Sequence, residues 1–254
     1  MTTTIKKGDF AEIEYTGHIN SPEFVFDTTY PEIARKENIY SEKTLYGPIS
    51  ICIGENQILK GLDDSLENLE VGKEHEITLP PEKAFGKKDG KLLRLIPSNV
   101  FLKQHIRPVP GLQVNIDGAL GTIRNVTGGR TIVDFNHPFA GKAVTYKVKV
   151  NRLLTSDTEK LCALLTLGLN LKKEAFIIEV KEGKAHVTIK SAVQKELLDE
   201  QNSRIKKCVP TIKDVTFTVP PAGKKEENQS HTDATDDTEE VHDHEHNHDH
   251  KHHP

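Results

Sequence analysis

The chain has 254 residues, of which 35% are hydrophobic and 28% are charged, and it contains no tryptophan. This length suffices for one or two domains with a substantial core, and no apolar run approaches the roughly 18–20 residues of a membrane span. The net charge is −4, but Lys224–Pro254 alone carries −7, which leaves +3 for the rest. Neither part has the basic character of a nucleic-acid-binding protein, so we expect no nucleic-acid and no membrane partner.

The amino terminus and the cysteines indicate the compartment. The opening stretch MTTTIKKGDFAEIEY lacks the apolar segment and cleavage site of a signal peptide. Three cysteines, Cys52, Cys162 and Cys208, are widely spaced and odd in number, which fits neither a disulfide framework nor a metal-ligand pair. A reducing environment is the simplest interpretation, and we therefore expect a cytoplasmic protein.

The first third of the chain alternates between strand and helix patterns. Residues 5–19, IKKGDFAEIEYTGHI, alternate apolar and polar side chains and predict a half-buried strand. Gly17 and the following NSPE cluster indicate a turn. Residues 49–53 predict a second strand, residues 57–69 place apolar side chains at helical spacing, and residues 73–79 return to strand alternation.

The middle of the chain predicts a small β unit that differs from the first third. Residues 92–118 are rich in apolar residues and carry three prolines. The pieces LQVNI, LGTIRNV and RTIVDF read as short strands with Gly-rich turns between them. Residues 142–154, KAVTYKVKVNRLL, alternate strictly and predict a longer strand.

Residues 155–220 predict a further α/β unit. Ser156 stands three residues before Glu159, the pattern of a capping box, ahead of an apolar helix. AFIIEVK and KAHVTIK, separated by the dipeptide EG, predict a hairpin with a two-residue turn. SAVQKELLDEQNSRIKK predicts an amphipathic helix and IKDVTFTV a closing strand. From Lys224 onward Val241 is the one large apolar residue, a composition that predicts disorder.

Four sequence blocks in a fixed order resemble one family. DFAEIEYTG, VFDTT, IGENQILKGLDDSLENLEVGKEHEITLPPEKAFG and VTYKVKV are similar, in this order, to FKBP-type peptidyl-prolyl isomerases. About fifty residues lie between KAFG and VTYKVKV, where short members have a brief flap loop. Within them, RLIPSNVF and FNHPFAGK resemble the insert-in-flap segment of the SlyD-like branch, and residues 155–220 resemble the long archaeal members.

The resemblance implies an α+β fold in four parts. Residues 1–87 and 136–154 are expected to form the isomerase domain, an antiparallel β-sheet wrapped on a short helix. Residues 88–135, the insert, are expected to form a small β-rich chaperone domain in the flap. Residues 155–222 are expected to form a small α/β carboxy-terminal domain, and residues 223–254, the tail, to be disordered, acidic and His-rich. We expect partners among unfolded or nascent polypeptides that contain proline.

The chemistry implied by the resemblance requires no cofactor. Rotation about an X–Pro bond meets a barrier of about 18–20 kcal/mol, and uncatalysed exchange is slow enough to limit folding. The twisted amide of the transition state is less polar than either planar isomer, so a dry, aromatic-lined pocket stabilises it selectively. Such a pocket needs no nucleophile, and the sequence shows no Ser/His/Asp or Cys/His constellation.

The matching motifs assign five catalytic residues by resemblance. Phe26, Phe85 and Tyr146 would form aromatic walls around the prolyl ring. Asp27 would polarise or orient its neighbours, through Tyr15, without transferring a proton. Phe85 stands where many relatives have tyrosine, so a hydroxyl contact to the substrate is absent at that position.

The same motifs assign the substrate-binding residues Ile49, Ile58, Leu59 and Leu62. Leu62 would be the floor of the pocket, where short family members carry tryptophan. Ile58 and Leu59 would present backbone groups to the peptide while their side chains line the rim.

Structural roles remain open for many of these residues. Phe26, Ile58, Leu62 and Tyr146 could be plain core residues, and Asp27 could cap the turn at DTT. In the insert, six apolar residues could form a compact core or an exposed surface for unfolded chains. These six are Ile96, Val100, Phe101, Ile106, Val109 and Leu112.

The stretch VHDHEHNHDHKHH near the end of the tail contains seven of the thirteen histidines. Imidazole suits Ni²⁺ and Zn²⁺, and SlyD-like relatives often carry such tails. We therefore expect one of these ions to bind at His242, His244, His246, His248, His250, His252 and His253. Two other functions remain open: a holdase with a decayed pocket, and a metallochaperone that uses the tail. A homodimer through the carboxy-terminal domain also remains open.

Overall fold

The computed structural model describes residues 3–20 and 23–220, which contain twelve strands and five α-helices. The predicted disorder and the predicted metal ligands of the tail lie outside the described residues. The helices are α1 (Pro31–Lys36), α2 (Lys60–Leu66), α3 (Ser98–Lys103), α4 (Asp157–Leu169) and α5 (Lys195–Cys208). The strands are β1 (Phe10–Asn20), β2 (Glu23–Thr28), β3 (Ile49–Cys52), β4 (Glu74–Leu79), β5 (Leu93–Pro97), β6 (Gln113–Ile116), β7 (Ala119–Thr127), β8 (Arg130–Asp134), β9 (Val144–Leu154), β10 (Phe176–Lys181), β11 (Lys184–Ile189) and β12 (Asp214–Thr218).

The main sheet consists of β1 to β4 and β9. Its order is β2-β1-β9-β4, β3 also pairs with β1, and all these pairs are antiparallel. Alternating apolar residues of the strands form one core with Leu62 and Leu66 of the short helix α2. An antiparallel sheet packed on a short helix is the arrangement that the resemblance implies.

Two predicted boundaries of this region are corrected. The strand expected over residues 5–19 begins at Phe10, because Gly8 takes a positive φ of 86° and turns the chain. The helix expected over residues 57–69 is confined to Lys60–Leu66. Asn56 before it and Asn68 after it both have positive φ, a conformation that interrupts a right-handed helix.

The insert sheet consists of β5 to β8, in the antiparallel order β5-β8-β7-β6. The three short strands expected in this region are confirmed as β6, β7 and β8. The sequence did not predict β5 or α3, because Pro97, which precedes α3, interrupts both patterns. The buried core of this sheet consists of only four residues: Phe101, Val114, Ile123 and Val133.

The carboxy-terminal sheet consists of β10, β11 and β12. The predicted hairpin is confirmed, since β10 and β11 pair antiparallel across Glu182 and Gly183, both with positive φ, as a type I′ turn requires. Strand β12 pairs parallel with β11, and α5 forms the crossover. The predicted amino-terminal cap at Ser156 is in place, but its side chain makes no capping hydrogen bond; Glu159 instead pairs with Arg152 at 2.8 Å.

A second core connects the carboxy-terminal sheet to the main sheet. Phe10, Cys52 and Leu154 of the main sheet pack with Leu161 and Leu164 of α4. The predicted α+β class with antiparallel sheets is therefore confirmed. No helix among the described residues combines the length and the apolar character that a membrane span requires.

Candidate active site

Strand register brings the predicted catalytic residues together from separate segments of the chain. In the pairing of β1 with β9, Gly17 lies opposite Tyr146, and Tyr15 lies opposite Val148. In the pairing of β1 with β2, Gly17 lies opposite Asp27. The centre of β1 therefore positions residues from both neighbouring strands.

The predicted aromatic residues form one cluster of edge-to-face and tilted rings. The Phe26 ring lies 5.7 Å from that of Tyr146 and 5.5 Å from that of Phe85, between centroids. The Tyr15 ring lies 5.7 Å from that of Tyr146. These separations fall within the favourable range for aromatic pairs. Tyr146 is buried, whereas Phe26 and Phe85 are half-buried and so remain partly accessible.

Gly17 makes room for this cluster. A Cβ atom at this position would lie 2.8 Å from Cε1 of Tyr146 and 2.9 Å from Cζ of Phe26, closer than carbon atoms normally approach. The sequence interpretation of Gly17 as part of a turn is wrong, because it lies inside β1 and is buried. An alternating strand with a single glycine was the available signal, since such a glycine often marks a close approach.

Asp27 and Tyr15 form a hydrogen-bonded pair beside the rings. The Tyr15 hydroxyl donates to Oδ2 of Asp27 at 3.0 Å. Burial raises the pKa of Asp27, although the hydrogen bonds from Tyr15 and from the Thr28 backbone oppose that shift. Burial, and then the nearby Asp27 charge, raise the pKa of both Tyr15 and Tyr146. Both tyrosines are therefore neutral at physiological pH, and the Tyr15 hydroxyl proton is used in the hydrogen bond to Asp27.

Two aromatic residues of the cluster were not assigned from the sequence. The Phe139 ring lies 5.3 Å from the rings of both Phe26 and Phe85. The His137 ring stacks on Phe85 at 4.6 Å and 3°, and its Nδ1 accepts a hydrogen bond from the Phe139 backbone at 3.2 Å. The segment FNHPFAGK resembles the insert-in-flap segment, and residues 136–154 were expected in the isomerase domain, but neither His137 nor Phe139 was assigned a role, although their position just before β9 could have identified them. We name Tyr15, Phe26, Phe85, Phe139 and Tyr146 the aromatic pocket.

The segment that precedes α2 holds two of the predicted substrate contacts. Ile58 and Leu59 pack against the main core, in which Leu62 is 1% exposed. The Leu59 carbonyl accepts hydrogen bonds from the backbone of Leu62 and Asp63, so it is already engaged within the chain. The buried carboxylate of Asp63 accepts from the backbone N–H of Gly54 at 2.9 Å and of Asn56 at 2.7 Å.

Asp63 thus holds the loop that leads into Ile58, a role that was not predicted from the sequence. The burial of this carboxylate and the start of α2 at Lys60 are visible only in the structure, so the sequence offered no local signal for this role. Ile49, the remaining predicted contact, packs against the main core and also lines a cavity of about 510 Å³ beside α4, together with Leu45 and Leu167.

The site is built for binding an apolar group rather than for covalent chemistry. Among the described residues, no cluster of three or more His, Cys, Asp or Glu side chains is arranged to hold a metal ion. The pocket consists of aromatic rings, and Asp27 is the charged group hydrogen-bonded to it through Tyr15. Such a surface can desolvate and orient a prolyl ring.

Two family models match the chain. One is described as FKBP-type peptidyl-prolyl cis-trans isomerase and covers residues 1–106. The other is described as the FKBP26 IF domain and covers residues 94–139. The second match spans the insert sheet together with His137 and Phe139.

Among similar proteins is a short-type peptidyl-prolyl cis-trans isomerase from Methanocaldococcus jannaschii, 31% identical over 159 residues, which are 63% of this chain and 100% of that protein. SlyD from Helicobacter pylori is 31% identical over 41% of this chain and 57% of its own length. SlyD from Treponema pallidum is 31% identical over 50% of this chain and 74% of its own length. The chain belongs to the family of FKBP-type peptidyl-prolyl cis–trans isomerases, in its SlyD-like branch.

Proposed function

We propose that this isomerase twists X–Pro bonds against the aromatic pocket, and that the insert holds the unfolded chain nearby. The observation that carries the first part is the convergence of five aromatic rings from β1, β2, β9 and two loops onto one partly exposed cluster. The rings come from segments far apart in sequence, and the buried Gly17 gives them room.

The pocket acts by favouring the twisted amide over the planar one. Apolar rings replace water around the prolyl group, and this substitution costs the planar, more polar amide more than the twisted one. Asp27 fixes the Tyr15 ring through their hydrogen bond, and Tyr15 in turn packs on Tyr146. No proton transfer is needed, so Asp27 serves as a positioning residue in this scheme.

Phe85→Ala tests the pocket, since Phe85 is half-buried and its loss leaves the buried Tyr146 in place. We expect kcat/KM for a proline-containing tetrapeptide to fall at least about tenfold, which corresponds to about 1.4 kcal/mol of lost transition-state stabilisation. The rate is best followed by NMR exchange, which avoids a coupling protease. The matched control is Phe135→Ala, another half-buried phenylalanine, which packs on the insert core. Equal rates in the two variants would place the reaction elsewhere.

The insert exposes the apolar surface that a chaperone needs. Of the ten large apolar side chains that are exposed in the described part of the chain, seven belong to residues 92–120. They are Leu92, Leu93, Leu95, Val100, Leu102, Val109 and Leu120. A cavity of about 600 Å³ lies among them, lined by Leu95, Val100 and Phe101. A core of four residues cannot cover this surface, which is the kind of patch that binds other chains.

The double variant Leu95→Ser, Leu120→Ser tests the chaperone role. Both side chains are about 60% exposed, at 58% and 63%, so the fold should survive their replacement. We expect suppression of the aggregation of a reduced, unfolded client to fall severalfold, with isomerisation of a tetrapeptide unchanged. The control is Ile177→Ser, because Ile177 is 52% exposed but lies in the carboxy-terminal sheet. Undiminished suppression in the double variant would exclude this surface as the client site.

For the tail, we propose that His242 to His253 bind Ni²⁺ or Zn²⁺ as an accessory function. The support is the sequence alone: seven imidazoles at short spacing, which are donors for these ions. The isomerase pocket takes no part in this binding. Calorimetry on the chain truncated after Gly223 should show loss of the high-affinity sites, whereas tetrapeptide isomerisation should persist. Equal metal affinity of the truncated chain and the full chain would exclude the tail as the principal metal site.

A cytoplasmic location is part of the same proposal. All three cysteines are free, as is usual in reducing compartments, and nascent or unfolded polypeptides with proline are the expected partners. A homodimer through the carboxy-terminal domain stays a prediction.

A further inference from the structure

The charged residues of the insert are mostly basic. Residues 88–135 contain seven Lys and Arg, three Asp and no Glu, which gives a net charge of +4. Residues 1–223 carry +3 in total, so the part of them outside the insert carries −1. All seven basic residues are exposed: Lys88, Lys91, Arg94, Lys103, Arg107, Arg124 and Arg130. The positive charge of this part of the chain is therefore concentrated on the surface of the insert.

Acidic side chains neutralise little of this charge. Asp134 is 4% exposed and pairs with Arg124 at 2.9 Å. Across residues 3–20 and 23–220, this is the one ion pair that involves a residue of the insert. Asp89 accepts a hydrogen bond from the backbone N–H of Lys91 at 2.8 Å, and Asp117 is exposed. Six basic side chains are thus available to a bound molecule.

These basic residues lie among the exposed apolar residues of the insert. Five of the seven exposed apolar residues are within two positions of a basic one. The neighbours are Lys91 beside Leu92, Arg94 between Leu93 and Leu95, Lys103 beside Leu102, and Arg107 near Val109. Arg94 also lines the cavity of about 600 Å³, at which Asp117 is the one acidic residue. A chain bound on this surface would therefore lie close to positive charge.

We propose that the insert selects unfolded segments in which acidic residues flank apolar ones, an inference that rests on the proposed chaperone function. The apolar side chains of such a segment cover the exposed leucines, and its Asp and Glu side chains lie beside unpaired Lys and Arg. Complementary charge contributes to specificity and speeds association, and like charges brought together are penalised. Segments with acidic flanks are therefore bound in preference to neutral or basic ones.

The side chains of this surface suit a polypeptide better than a single-stranded nucleic acid. Proteins that bind single strands without sequence preference use aromatic side chains on which successive bases stack. The two aromatic residues of the insert, Phe101 and Phe135, are buried and half-buried. Its seven exposed large apolar side chains are all aliphatic. The surface thus combines positive charge with aliphatic contacts and offers the bases no exposed ring.

Two labelled peptides without proline test this selectivity on the full chain. They share the same apolar residues, which are flanked by glutamate in one peptide and by glutamine in the other. At about 50 mM salt, we expect fluorescence anisotropy to show at least about fivefold tighter binding of the glutamate peptide. The preference should largely disappear at about 0.5 M salt, because salt screens exposed charges. The acidic tail repels the glutamate peptide and so cannot create this preference. Equal affinities at low salt would overturn the proposal.

A triple variant locates the preference on the insert. It carries Lys91→Gln, Lys103→Gln and Arg107→Gln, at three exposed positions without an ion pair among the described residues. We expect the affinity for the glutamate peptide to fall to within about twofold of that for the glutamine peptide, and the latter to stay unchanged.

The matched control removes three exposed lysines of the carboxy-terminal region, in Lys181→Gln, Lys184→Gln and Lys190→Gln. The control should keep the full preference, although its net charge changes by the same amount. An equal loss of preference in both triple variants would assign the effect to the overall charge of the protein and overturn the proposal.

The double variant Leu95→Ser, Leu120→Ser separates a failure of this inference from a failure of the chaperone function. If the wild type binds both peptides equally and the double variant binds neither, the insert is the client site and the charge selection is wrong. If the double variant binds both peptides as the wild type does, the chaperone function of this surface is wrong as well. A single-stranded oligonucleotide of the same length is the last competitor. Displacement of the glutamate peptide by a lower concentration of oligonucleotide than of unlabelled glutamate peptide would assign the surface to nucleic acid instead.

Discussion

The main sheet buries most of its apolar residues, whereas the insert sheet leaves many of its own exposed. The core of the main sheet contains thirteen buried residues, with further aromatic rings packed against it, whereas the core of the insert contains four and leaves seven large apolar side chains exposed. A rigid pocket must hold rings in fixed positions, because misplacement by about 1 Å can cost roughly 100-fold in rate. A surface for unfolded chains needs no fixed geometry. The two regions therefore place different demands on packing, and substitutions should affect them differently.

Gly17→Ala should give the largest effect, because it breaks the geometry of the pocket. The new methyl group would meet Tyr146 at 2.8 Å and Phe26 at 2.9 Å, so one ring must move. We expect kcat/KM for a tetrapeptide to fall at least about 100-fold and the protein to lose about 1–3 kcal/mol of stability from overpacking. Suppression of client aggregation, which we propose to be a property of the insert, should change little.

The matched control for this substitution is Gly90→Ala. Gly90 has no atom within 4 Å of its added Cβ and no positive φ, so the same chemical change should be silent there. Tyrosine fluorescence can follow unfolding selectively, since all five tyrosines lie in the segments of the main sheet region and none lies in the insert. A fully active Gly17→Ala variant would mean that the ring positions are not what limits catalysis.

Asp63→Ala should give the second-largest effect, because it releases the loop before Ile58 without touching a ring. The backbone N–H groups of Gly54 and Asn56 would lose their acceptor. Leaving buried donors unsatisfied costs about 1–3 kcal/mol, so we expect a drop of that size in the free energy of unfolding and a severalfold rise in KM. Asp64→Ala is the control, since Asp64 is exposed on the same helix. Equal effects of the two substitutions would remove Asp63 from the account of the pocket.

Local patterns in the sequence predicted local structure well. The dipeptide EG between two alternating runs predicted the hairpin of β10 and β11, since positive φ is required at both of its residues and glycine adopts it readily. The ordered motifs identified the family, and with it Tyr15, Phe26, Phe85 and Tyr146. These four converge in the structure, although their roles in catalysis stay predictions.

Relations across long sequence distances could not be predicted in the same way. Gly17 looked like a turn residue because nothing in its neighbourhood shows that Tyr146 and Asp27 lie opposite it. Phe139 falls within the expected isomerase domain, but nothing in its sequence neighbourhood shows that its ring packs on Phe26. Register and packing, rather than composition, decide such contacts.

Asp134→Asn should have a moderate effect on the stability of the insert, and this effect should depend on pH. Asp134 is 4% exposed in the insert and accepts hydrogen bonds from Arg124 at 3.0 Å and from Asn136 at 2.8 Å and 2.9 Å. Burial alone would raise the pKa of Asp134, but the hydrogen bonds from Asn136 and Arg124 outweigh burial and lower it. The ionised carboxylate therefore stabilises the folded insert above the ordinary pKa of aspartate.

This contribution should disappear as the pH falls through the lowered pKa of Asp134. We expect Asp134→Asn to destabilise the insert by about 1–2 kcal/mol at pH 7, and the difference from the wild type to shrink below about pH 4. Hydrogen exchange of amides in β7 and β8 reports on the insert directly. Asp117→Asn, an exposed position in the same region, is the control. If the stability difference between this variant and the wild type instead grew toward acid pH, the pKa of Asp134 would be raised rather than lowered.

Asp27→Asn should have the smallest effect of these substitutions, and its effect on stability should depend on pH in the opposite direction to that of Asp134→Asn. The pKa of Asp27 is raised by burial, so the folded state holds the proton more tightly than the unfolded state. Wild-type stability should then fall relative to the variant as the pH rises from about 3 through the raised pKa of Asp27. Urea unfolding followed by tyrosine fluorescence at several pH values measures this difference, and asparagine can still accept the Tyr15 hydrogen bond.

Catalysis by Asp27→Asn distinguishes a positioning role from a chemical one. General acid or base catalysis contributes about 100- to 10,000-fold, and asparagine could not supply it. The proposed desolvation mechanism uses no proton transfer, so we expect kcat/KM of the variant to stay within about threefold of the wild type, with no new pH dependence between pH 6 and 8. A 100-fold loss would show that the carboxylate takes part in the reaction itself, and the pocket would then differ from the insert in its chemistry as well as in its rigidity.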